Sequence, residues 1–417
     1  METRCSLRCL WWLAVAALVA TSPALAVKRR AFATSVQGPG NLSSWADAGG
    51  NTGLAAGDAI CRARAAAGGL PNAATYRAWL SNSATDAYCH VQGLSGTVGN
   101  ACLGASQPGG GPWYQANGIT AFTDTLARLT GPGHVIYRNL LFDEFGQTIP
   151  LAEMQIWTGT GIVGAGTGED CTSWGTNAGT GRTGSTYESA YHWTYAWESA
   201  CTVSHRLLCL EPGASEPLAL TWSPAALVFV TDPVQPGGDL SSWTGASGAQ
   251  GIAAGDAVCR TQAAAAHLPV PDSFVAWLST AQMDAISRLT TDGPFRRVDG
   301  FVVANGLNDL VDGQIQVSIH VRANGGYLTS PDTAWTGSAS DGTWGGTDCG
   351  GWTSAVGGDS GHAGAPGRSR EPGWTALGSD SCTASSKRLY CFSNVITIFW
   401  DGFDATGDTG RWSSTTP

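Results

Sequence analysis

The sequence has 417 residues and a formal net charge of −10 at neutral pH. Only 13% of the residues are charged, whereas glycine occurs 57 times and tryptophan 18 times. Nucleic acids and anionic membranes bind clusters of Lys and Arg, so this acidic balance argues against both as partners. Low charge with many Gly, Ser, Thr and Trp residues favours a loop-rich extracellular protein over a cytosolic enzyme.

Residues 1–26 are typical of a cleavable secretory signal peptide. Two arginines precede an apolar run from Leu10 to Ala20, and Ala24–Ala26 supplies the small residues that signal peptidase requires. The run is shorter than the roughly 20 residues that span a bilayer, and no later segment reaches that length, so we expect no membrane span. We interpret the basic cluster Lys28–Arg30, beside the cleavage site, as a processing or solvated feature.

Cys5 and Cys9 leave with this segment, so ten of the twelve cysteines remain. In an exported chain we expect them to form disulfides. No Cys-x-x-Cys pair occurs and the histidines do not cluster, which argues against zinc and against any catalytic metal. A structural calcium ion stays possible in polar loops such as Asn305–Asp312.

The chain contains two copies of one pattern. Residues 40–45 match 238–243, and Gly57–Arg62, which reads Gly-Asp-Ala-Ile-Cys-Arg, matches Gly255–Arg260. Ala78–Ser81 matches Ala276–Ser279 at the same spacing. Later matches follow at other spacings: Trp157–Gly159 with Trp335–Gly337, Cys171 and Trp174 with Cys349 and Trp352, and Arg206–Cys209 with Arg388–Cys391. The pattern predicts copy 1 at 31–211, a proline-rich linker at 212–227, copy 2 at 228–393 and a separate tail at 394–417.

The copies differ by insertions. Arg128–Thr130 and Arg288–Thr290 both read Arg-Leu-Thr, and this match places additional residues of copy 1 between Ser81 and Arg128. The additional stretch contains Cys89 and Cys102, and we expect a surface loop closed by its own disulfide. Insertions in loops cost little stability and often carry function.

Each copy is predicted to be an α+β domain. Apolar residues recur at helical spacing over 55–67 and again over 253–267, and Gly68-Gly69 can end the first helix. Short strands are predicted at 76–81, 274–279, 156–158, 334–336, 205–210 and 388–392, separated by Gly/Ser/Thr-rich loops.

The four cysteines of copy 2 allow three connectivities. A nested arrangement would join Cys259 to Cys391 and Cys349 to Cys382, and would attach the helix to the last strand. Copy 1 would then pair Cys61 with Cys209 and Cys171 with Cys201, leaving Cys89 and Cys102 for the insertion.

Taken together, Gly-Asp-Ala-x-Cys-Arg, Ala-Trp-Leu-Ser, Trp-Thr-Gly, Cys-x-x-Trp and the final Arg-Leu-x-Cys resemble a bacterial domain family of unknown function. That family is found in exported and surface proteins and is similar in fold to endostatin, a C-type-lectin-like protein. The resemblance covers both copies and implies two tandem lectin-like domains with the nested disulfides. It implies no established activity.

Three catalytic or metal-dependent interpretations find little support. Gly358–Gly361 reads Gly-Asp-Ser-Gly like a trypsin-type nucleophile, but no matching histidine segment occurs. Asp143-Glu144 and Glu153 could form a glycosidase pair, but nothing matches Glu153 in copy 2. The calcium-coordinating motifs of sugar-binding C-type lectins do not occur in the sequence. We therefore predict that the protein is not an enzyme.

The tryptophans are the remaining candidates. Trp45, Trp79, Trp157 and Trp174 have counterparts in copy 2 and are predicted to pack in the core. Five others are interpreted as copy-specific loop residues that contact a ligand: Trp113, Trp193, Trp197, Trp344 and Trp374.

These features predict a secreted or cell-surface adhesion-type protein that binds an extracellular protein or glycan through variable loops. The alternatives are a secreted hydrolase and a purely structural envelope component. The tail resembles a short C-terminal motif that ends many exported bacterial proteins, which suggests sorting or surface attachment; an additional strand on copy 2 is the other interpretation.

Overall fold

The computed structural model describes residues 27–220, 222–370 and 373–398. The predicted signal peptide and the tail from residue 399 onward lie outside the described residues. Within these ranges the chain is a mixed α+β protein with two eight-stranded sheets and a small two-stranded sheet. No helix in the described ranges combines the length and the apolar character needed to cross a membrane.

Copy 1 supplies the first large sheet, whose order is β5-β4-β1-β9-β6-β7-β8, with β2 paired to β9. Its strands are β1 Arg29–Ala33, β2 Arg77–Ala78, β4 Trp113–Gln115, β5 Ala121–Thr123, β6 Gln155–Trp157, β7 Thr180–Ser185, β8 Trp197–Ala200 and β9 Arg206–Leu210. The two-stranded sheet joins β3 Gly110–Gly111 to β10 Gly213–Ala214.

Copy 2 repeats this topology in the order β14-β13-β11-β18-β15-β16-β17, with β12 paired to β18. Its strands are β11 Ala225–Val230, β12 Phe274–Ala276, β13 Phe295–Arg297, β14 Val302–Ala304, β15 Thr333–Trp335, β16 Ser360–Gly364, β17 Gly378–Ser381 and β18 Lys387–Thr397. The identical order shows that the sequence repeat is a repeat of architecture.

One long helix in each copy packs against its sheet: α1 Gly53–Ala67 and α5 Gly251–Ala265. The short helices are α2 Ala87–His90, α3 Leu126–Leu129, α4 Cys171–Trp174, α6 Leu307–Leu310 and α7 Cys349–Trp352. A Cβ on Gly57 would lie 2.6 Å from Leu80 Cδ1, and one on Gly255 would lie 2.7 Å from Leu278 Cδ1. Glycine therefore allows the helix to approach the sheet, which explains why both copies of the motif begin with it.

The aspartate of the same motif anchors the next strand. Asp58 accepts a hydrogen bond from the amide of Ala78 (3.0 Å), and Asp256 accepts one from the amide of Ala276 (2.9 Å). His90 Nε2 lies 2.9 Å from Asp58 Oδ1, whereas in copy 2 Arg288 donates to both oxygens of Asp256 at 2.7 Å.

His90 is therefore the counterpart of Arg288, and the match of Arg128–Thr130 with Arg288–Thr290 is wrong. Arg128 belongs to α3, after β5, whereas Arg288 precedes β13. The tripeptide arises twice by coincidence, and the insertion of copy 1 lies between His90 and β4.

The disulfides of the structure are Cys61–Cys209, Cys171–Cys201, Cys89–Cys102, Cys259–Cys391 and Cys349–Cys382. These are the nested pairs and the insertion pair expected from the sequence. Cys61 and Cys259 lie on α1 and α5, so the long-range bridge joins the helix to the central strand β9 or β18.

Both ends of the segment predicted as a linker belong to strands. β10 lies within it and pairs with β3, and β11 already begins at Ala225. Arg296 lies over the ring of Trp222 at 5.4 Å, so the connection also packs on copy 2. At the other end β18 continues to Thr397, beyond the predicted boundary at 393, because its last residues pair with β11.

The basic cluster after the signal segment is also structural. Arg29 and Arg30 begin β1. Arg29 donates to Glu211 at 2.7 Å, and Arg30 donates to the carbonyl of Ala116 at 2.5 Å. The interpretation as a solvated feature is wrong for these two side chains, because both lie against the sheet and have partners there. The interpretation as a processing feature stays a prediction.

The copies share a packed junction. Tyr114, Ala121, Val135 and Tyr137 of copy 1 belong to the same hydrophobic cluster as the core of copy 2. Beneath this contact, Arg297 donates to both oxygens of Asp299 (2.9 and 2.7 Å), and both residues are buried. Apolar packing therefore joins the two copies, and the buried ion pair lies on the copy 2 side of the junction.

Candidate ligand-binding surface

Three of the five tryptophans predicted to face a ligand are buried. Trp113, Trp193 and Trp374 are 1%, 2% and 1% exposed. Trp113 Nε1 donates to the carbonyl of Glu211 at 2.8 Å, within the sheet. Their assignment as exposed loop residues is wrong, because the Gly-rich segments around them fold back onto the core.

Trp193 and Trp374 are also not specific to one copy. The ring of Trp193 packs on Trp79 at 5.0 Å, and the ring of Trp374 packs on Trp277 at 5.3 Å, both with an interplanar angle of 41°. They form a fifth shared pair. Sequence comparison missed it because the number of residues after Cys171 differs from the number after Cys349.

The four pairs expected in the core are buried in both copies. Each indole N–H of Trp157 and Trp335 donates to a glycine carbonyl at 3.0 Å, and those of Trp174 and Trp352 donate to a serine carbonyl at 2.8 and 3.0 Å. These rings belong to the packed structure that both copies share.

Trp344 is 41% exposed in the loop before α7. Its amide donates to Asp284 at 2.8 Å. The equivalent bond in copy 1 runs from the amide of Gly166 to Asp86 at 2.6 Å. Copy 2 therefore has an indole where copy 1 has glycine. In the described residues no other aromatic ring packs on Trp344, so it is an isolated exposed side chain.

Trp197, at the start of β8, belongs to a group of partly exposed rings. We call Tyr191, His192, Tyr195 and Trp197 the aromatic cluster; all four have intermediate exposure. His192 lies 5.1 Å from Tyr191 and 5.7 Å from Trp197, and Tyr191 lies 6.2 Å from Tyr195. The cluster combines a single 3-10 turn, Ala190–Trp193, with the edge strand β8.

A charged group borders the aromatic cluster. Arg182 on β7 stacks on Tyr195 with 4.4 Å between the guanidinium carbon and the ring centre. It donates to both oxygens of Glu169 (2.6 and 2.7 Å) and to Glu198 (3.1 Å). The side chain of Glu198 is 54% exposed. The guanidinium of Arg182 is therefore paired with two carboxylates, while the carboxylate of Glu198 remains partly exposed to solvent.

The electrostatics of this group keep both partners ionised. Burial alone would raise the pKa of Glu169, but hydrogen bonds from Arg182 and Thr167 hold it below its ordinary value. Burial would likewise lower the pKa of Arg182, and the bonds to Glu169 raise it above its ordinary value. Glu169 is consequently a hydrogen-bond acceptor at neutral pH and not a proton donor.

His192 supplies the imidazole of the aromatic cluster. Burial first, and the nearby Arg368 second, lower the pKa of His192 to about 4. Its Nδ1 atom is buried and has no hydrogen-bond partner among the described residues. The ring is therefore neutral at physiological pH and contributes an aromatic face.

Copy 2 does not reproduce this surface. Strand pairing aligns Arg182 and Glu198 with His362 and Ser379. In copy 1 the backbone amide of Arg182 donates to the carbonyl of Glu169, and in copy 2 the backbone amide of His362 donates to the carbonyl of Thr347. Thr347 therefore takes the place of Glu169. Small residues, Ala376 and Gly378, follow Trp374. At these described positions copy 2 therefore has neither the Arg–Glu pairs nor the Tyr and Trp rings of copy 1.

The catalytic candidates of the sequence do not form a site. Glu144 is buried and accepts hydrogen bonds from the amide and hydroxyl of Ser35, whereas Glu153 pairs with Arg206. Asp359 accepts a bond from Ser354. In the described ranges no three His, Cys, Asp or Glu side chains are grouped so that they could hold a metal ion.

Two concavities lie outside the aromatic cluster. A cavity lined by Glu188, Trp193 and Ile156 has a volume of about 10 Å³, room for about one water molecule. A groove of about 290 Å³ runs along Gly38, Pro39 and Trp45, on the structure that both copies share. Neither brings a histidine together with a carboxylate.

Comparisons with known proteins found no family model and no curated protein that matches this chain. The resemblance to the bacterial exported family and the lectin-like fold therefore stay predictions.

Proposed function

We propose that this protein is exported and binds an extracellular neutral glycan, without catalysing a reaction, on the aromatic cluster of copy 1. We further propose that its two copies are lectin-like domains. The signal-like segment and the five disulfides support export. The single observation that carries the binding proposal is the aromatic cluster with its carboxylate border.

A glycan fits the chemistry of this surface. Aromatic side chains offer rigid apolar faces to the C–H face of a pyranose ring, and carboxylate oxygens accept hydrogen bonds from its hydroxyls. Trp197 and Tyr191 supply such faces, and Glu198 supplies exposed oxygens. The four rings are all partly exposed, which suits a chain of sugar rings better than a small substrate that must be enclosed.

The ligand should be neutral rather than anionic. Arg182 is bound to Glu169 and Glu198, and Arg368 is bound to Glu188 at 2.6 Å. Both of these cations are therefore compensated, and the whole chain carries a net charge of −10. A sulfated or sialylated glycan would meet repulsion from the excess of acidic groups.

Binding is favoured over glycoside hydrolysis. A general acid needs a pKa raised toward the working pH. The pKa of Glu169 is instead lowered by Arg182, so this carboxyl group is unsuited to protonating a leaving group. Burial raises the pKa of Glu188, but this residue is only 5% exposed and is bound by Arg368.

The proposal is tested on an array of neutral, sialylated and sulfated oligosaccharides together with extracellular proteins. We expect the unmodified protein to bind neutral oligosaccharides, and Trp197→Ala to weaken that binding by about thirtyfold, as for a central aromatic contact. Trp344→Ala is the matched control, since it removes an exposed indole from copy 2, and it should bind as the unmodified protein does. Binding that requires Trp344 but not Trp197, or a preference for anionic glycans, would overturn the proposal.

A further inference from the structure

A loop of copy 2 contacts the base of the aromatic cluster. The carbonyl of Gly367 accepts hydrogen bonds from the amide of Ser189 (3.1 Å), from its hydroxyl (3.2 Å) and from Asn139 Nδ2 (3.0 Å). The next residue, Arg368, donates to Glu188 at 2.6 Å. Glu188 and Ser189 directly precede the turn Ala190–Trp193, which carries two rings of the cluster.

The contact is close and buried. Glu188, Ser189 and Asn139 are each at most 5% exposed. A Cβ on Gly367 would lie 3.2 Å from the hydroxyl oxygen of Ser189 and 3.3 Å from a carboxylate oxygen of Glu188. Glycine is therefore the residue that lets this carbonyl reach its three donors.

The turn that follows is conformationally unfavourable. Ala190 has a φ of 52°, in the left-handed region that residues other than glycine rarely adopt. Such a residue keeps its conformation only where its surroundings hold it. On the N-terminal side of Ala190, two contacts with copy 2 hold the chain. Glu188 accepts a hydrogen bond from Arg368, and Ser189 donates to the carbonyl of Gly367.

We propose that copy 2 positions the ligand-binding surface of copy 1, with Gly367 and Arg368 as positioning residues. The nature of the ligand in this proposal rests on the proposed function, whereas the positioning of the turn does not. Copy 1 carries the site and copy 2 holds the turn that presents it. The duplication thus divides one task between two domains, because copy 2 lacks the aromatic residues at the equivalent place.

The test uses the full chain and hydrogen exchange measured by mass spectrometry. In Arg368→Ala we expect the amides of residues 190–198 to exchange about tenfold faster, as for loss of a charge-assisted hydrogen bond. Arg368→Lys, which keeps a cation near Glu188, should restore most of the protection. Arg260→Ala, which removes an exposed arginine from α5 of copy 2, is the matched control and should leave residues 190–198 unchanged.

Binding to the neutral oligosaccharides of the array provides the second readout. Arg368→Ala should weaken binding in parallel with the loss of protection, although Arg368 lies outside the aromatic cluster. Unchanged exchange over 190–198 in Arg368→Ala, or an equal increase across all of copy 1, would overturn the positioning role. Absence of any Trp197-dependent binding by the unmodified protein would instead refute the proposed function and leave the exchange result to decide the positioning role.

Discussion

The ring of Tyr137 in copy 1 stacks on the ring of Phe301 in copy 2, with centroids 4.7 Å apart and planes 20° apart. Both residues are less than 10% exposed, and Tyr137 also donates to Asp124 at 2.7 Å. The two copies are thus fused through a shared core, and a flexible tether between independent domains does not describe them.

We expect Phe301→Ala to lower the free energy of unfolding by about 3–5 kcal/mol, because it removes a buried aromatic ring from the junction. Urea unfolding followed by circular dichroism measures the change, and a single transition should split into two as the copies lose their coupling. Phe145→Ala is the control, since Phe145 is 51% exposed and its loss should cost less than about 0.5 kcal/mol. Equal effects of the two substitutions would contradict the shared core.

Stability should depend on pH through His320, which is fully buried beside Arg297 (3.2 Å). Burial first, and Arg297 second, lower the pKa of His320 to about 3. Between pH 6.5 and about 3 the unfolded chain therefore binds a proton that the folded chain does not. Stability contributed by the neutral ring is present above pH 6.5 and is lost as the pH falls toward 3.

For one such histidine the loss is about 1.4 kcal/mol per pH unit. We expect His320→Gln to show a shallower decline between pH 6 and pH 4 than the unmodified protein, measured by urea unfolding at each pH. His205 and His192, with pKa values lowered by burial to about 4, still contribute in both proteins. Parallel pH profiles for the two proteins would show that His320 is not the group responsible.

The disulfides should differ in their effect on stability. Cys259–Cys391 closes a separation of 132 residues and Cys89–Cys102 one of 13. In the chain-entropy view, removing the first pair costs about 5 kcal/mol and removing the second about 3 kcal/mol. Double replacement of each pair by alanine, followed by urea unfolding, measures the two costs; a larger loss for the shorter loop would contradict this order.

Binding should occur with one site per chain. Copy 1 offers Arg182, Glu169 and Glu198 beside aromatic rings, and copy 2 offers His362, Thr347 and Ser379 at the same places. Isothermal titration with a neutral oligosaccharide selected on the array should give a stoichiometry near one. A stoichiometry near two would show that copy 2 also binds, and Trp344→Ala would then identify its site.

The sequence alone determined the duplication, the long helix of each copy and the disulfide pairing, but not the strand order of the two sheets. Gly-Asp-Ala-x-Cys-Arg and the matching cysteines and tryptophans predicted two copies, one long helix in each and the nested disulfides. These features are local or depend on residue type: helical spacing, glycine at a close contact, and cysteines that pair within a repeated unit. The motif matches between copy 1 and copy 2 are confirmed wherever the number of residues between successive motifs is the same in both copies.

Only the tertiary structure decided which side chains face solvent. Trp193 and Trp197 are four residues apart in one Gly/Ser/Tyr-rich stretch, yet one packs in the core and the other joins the aromatic cluster. Exposure depends on how a loop folds back onto its sheet, and a neighbouring copy can hold that loop in place, as Gly367 and Arg368 hold Glu188 and Ser189. No spacing within copy 1 encodes a contact made by residues nearly 180 positions away in the chain.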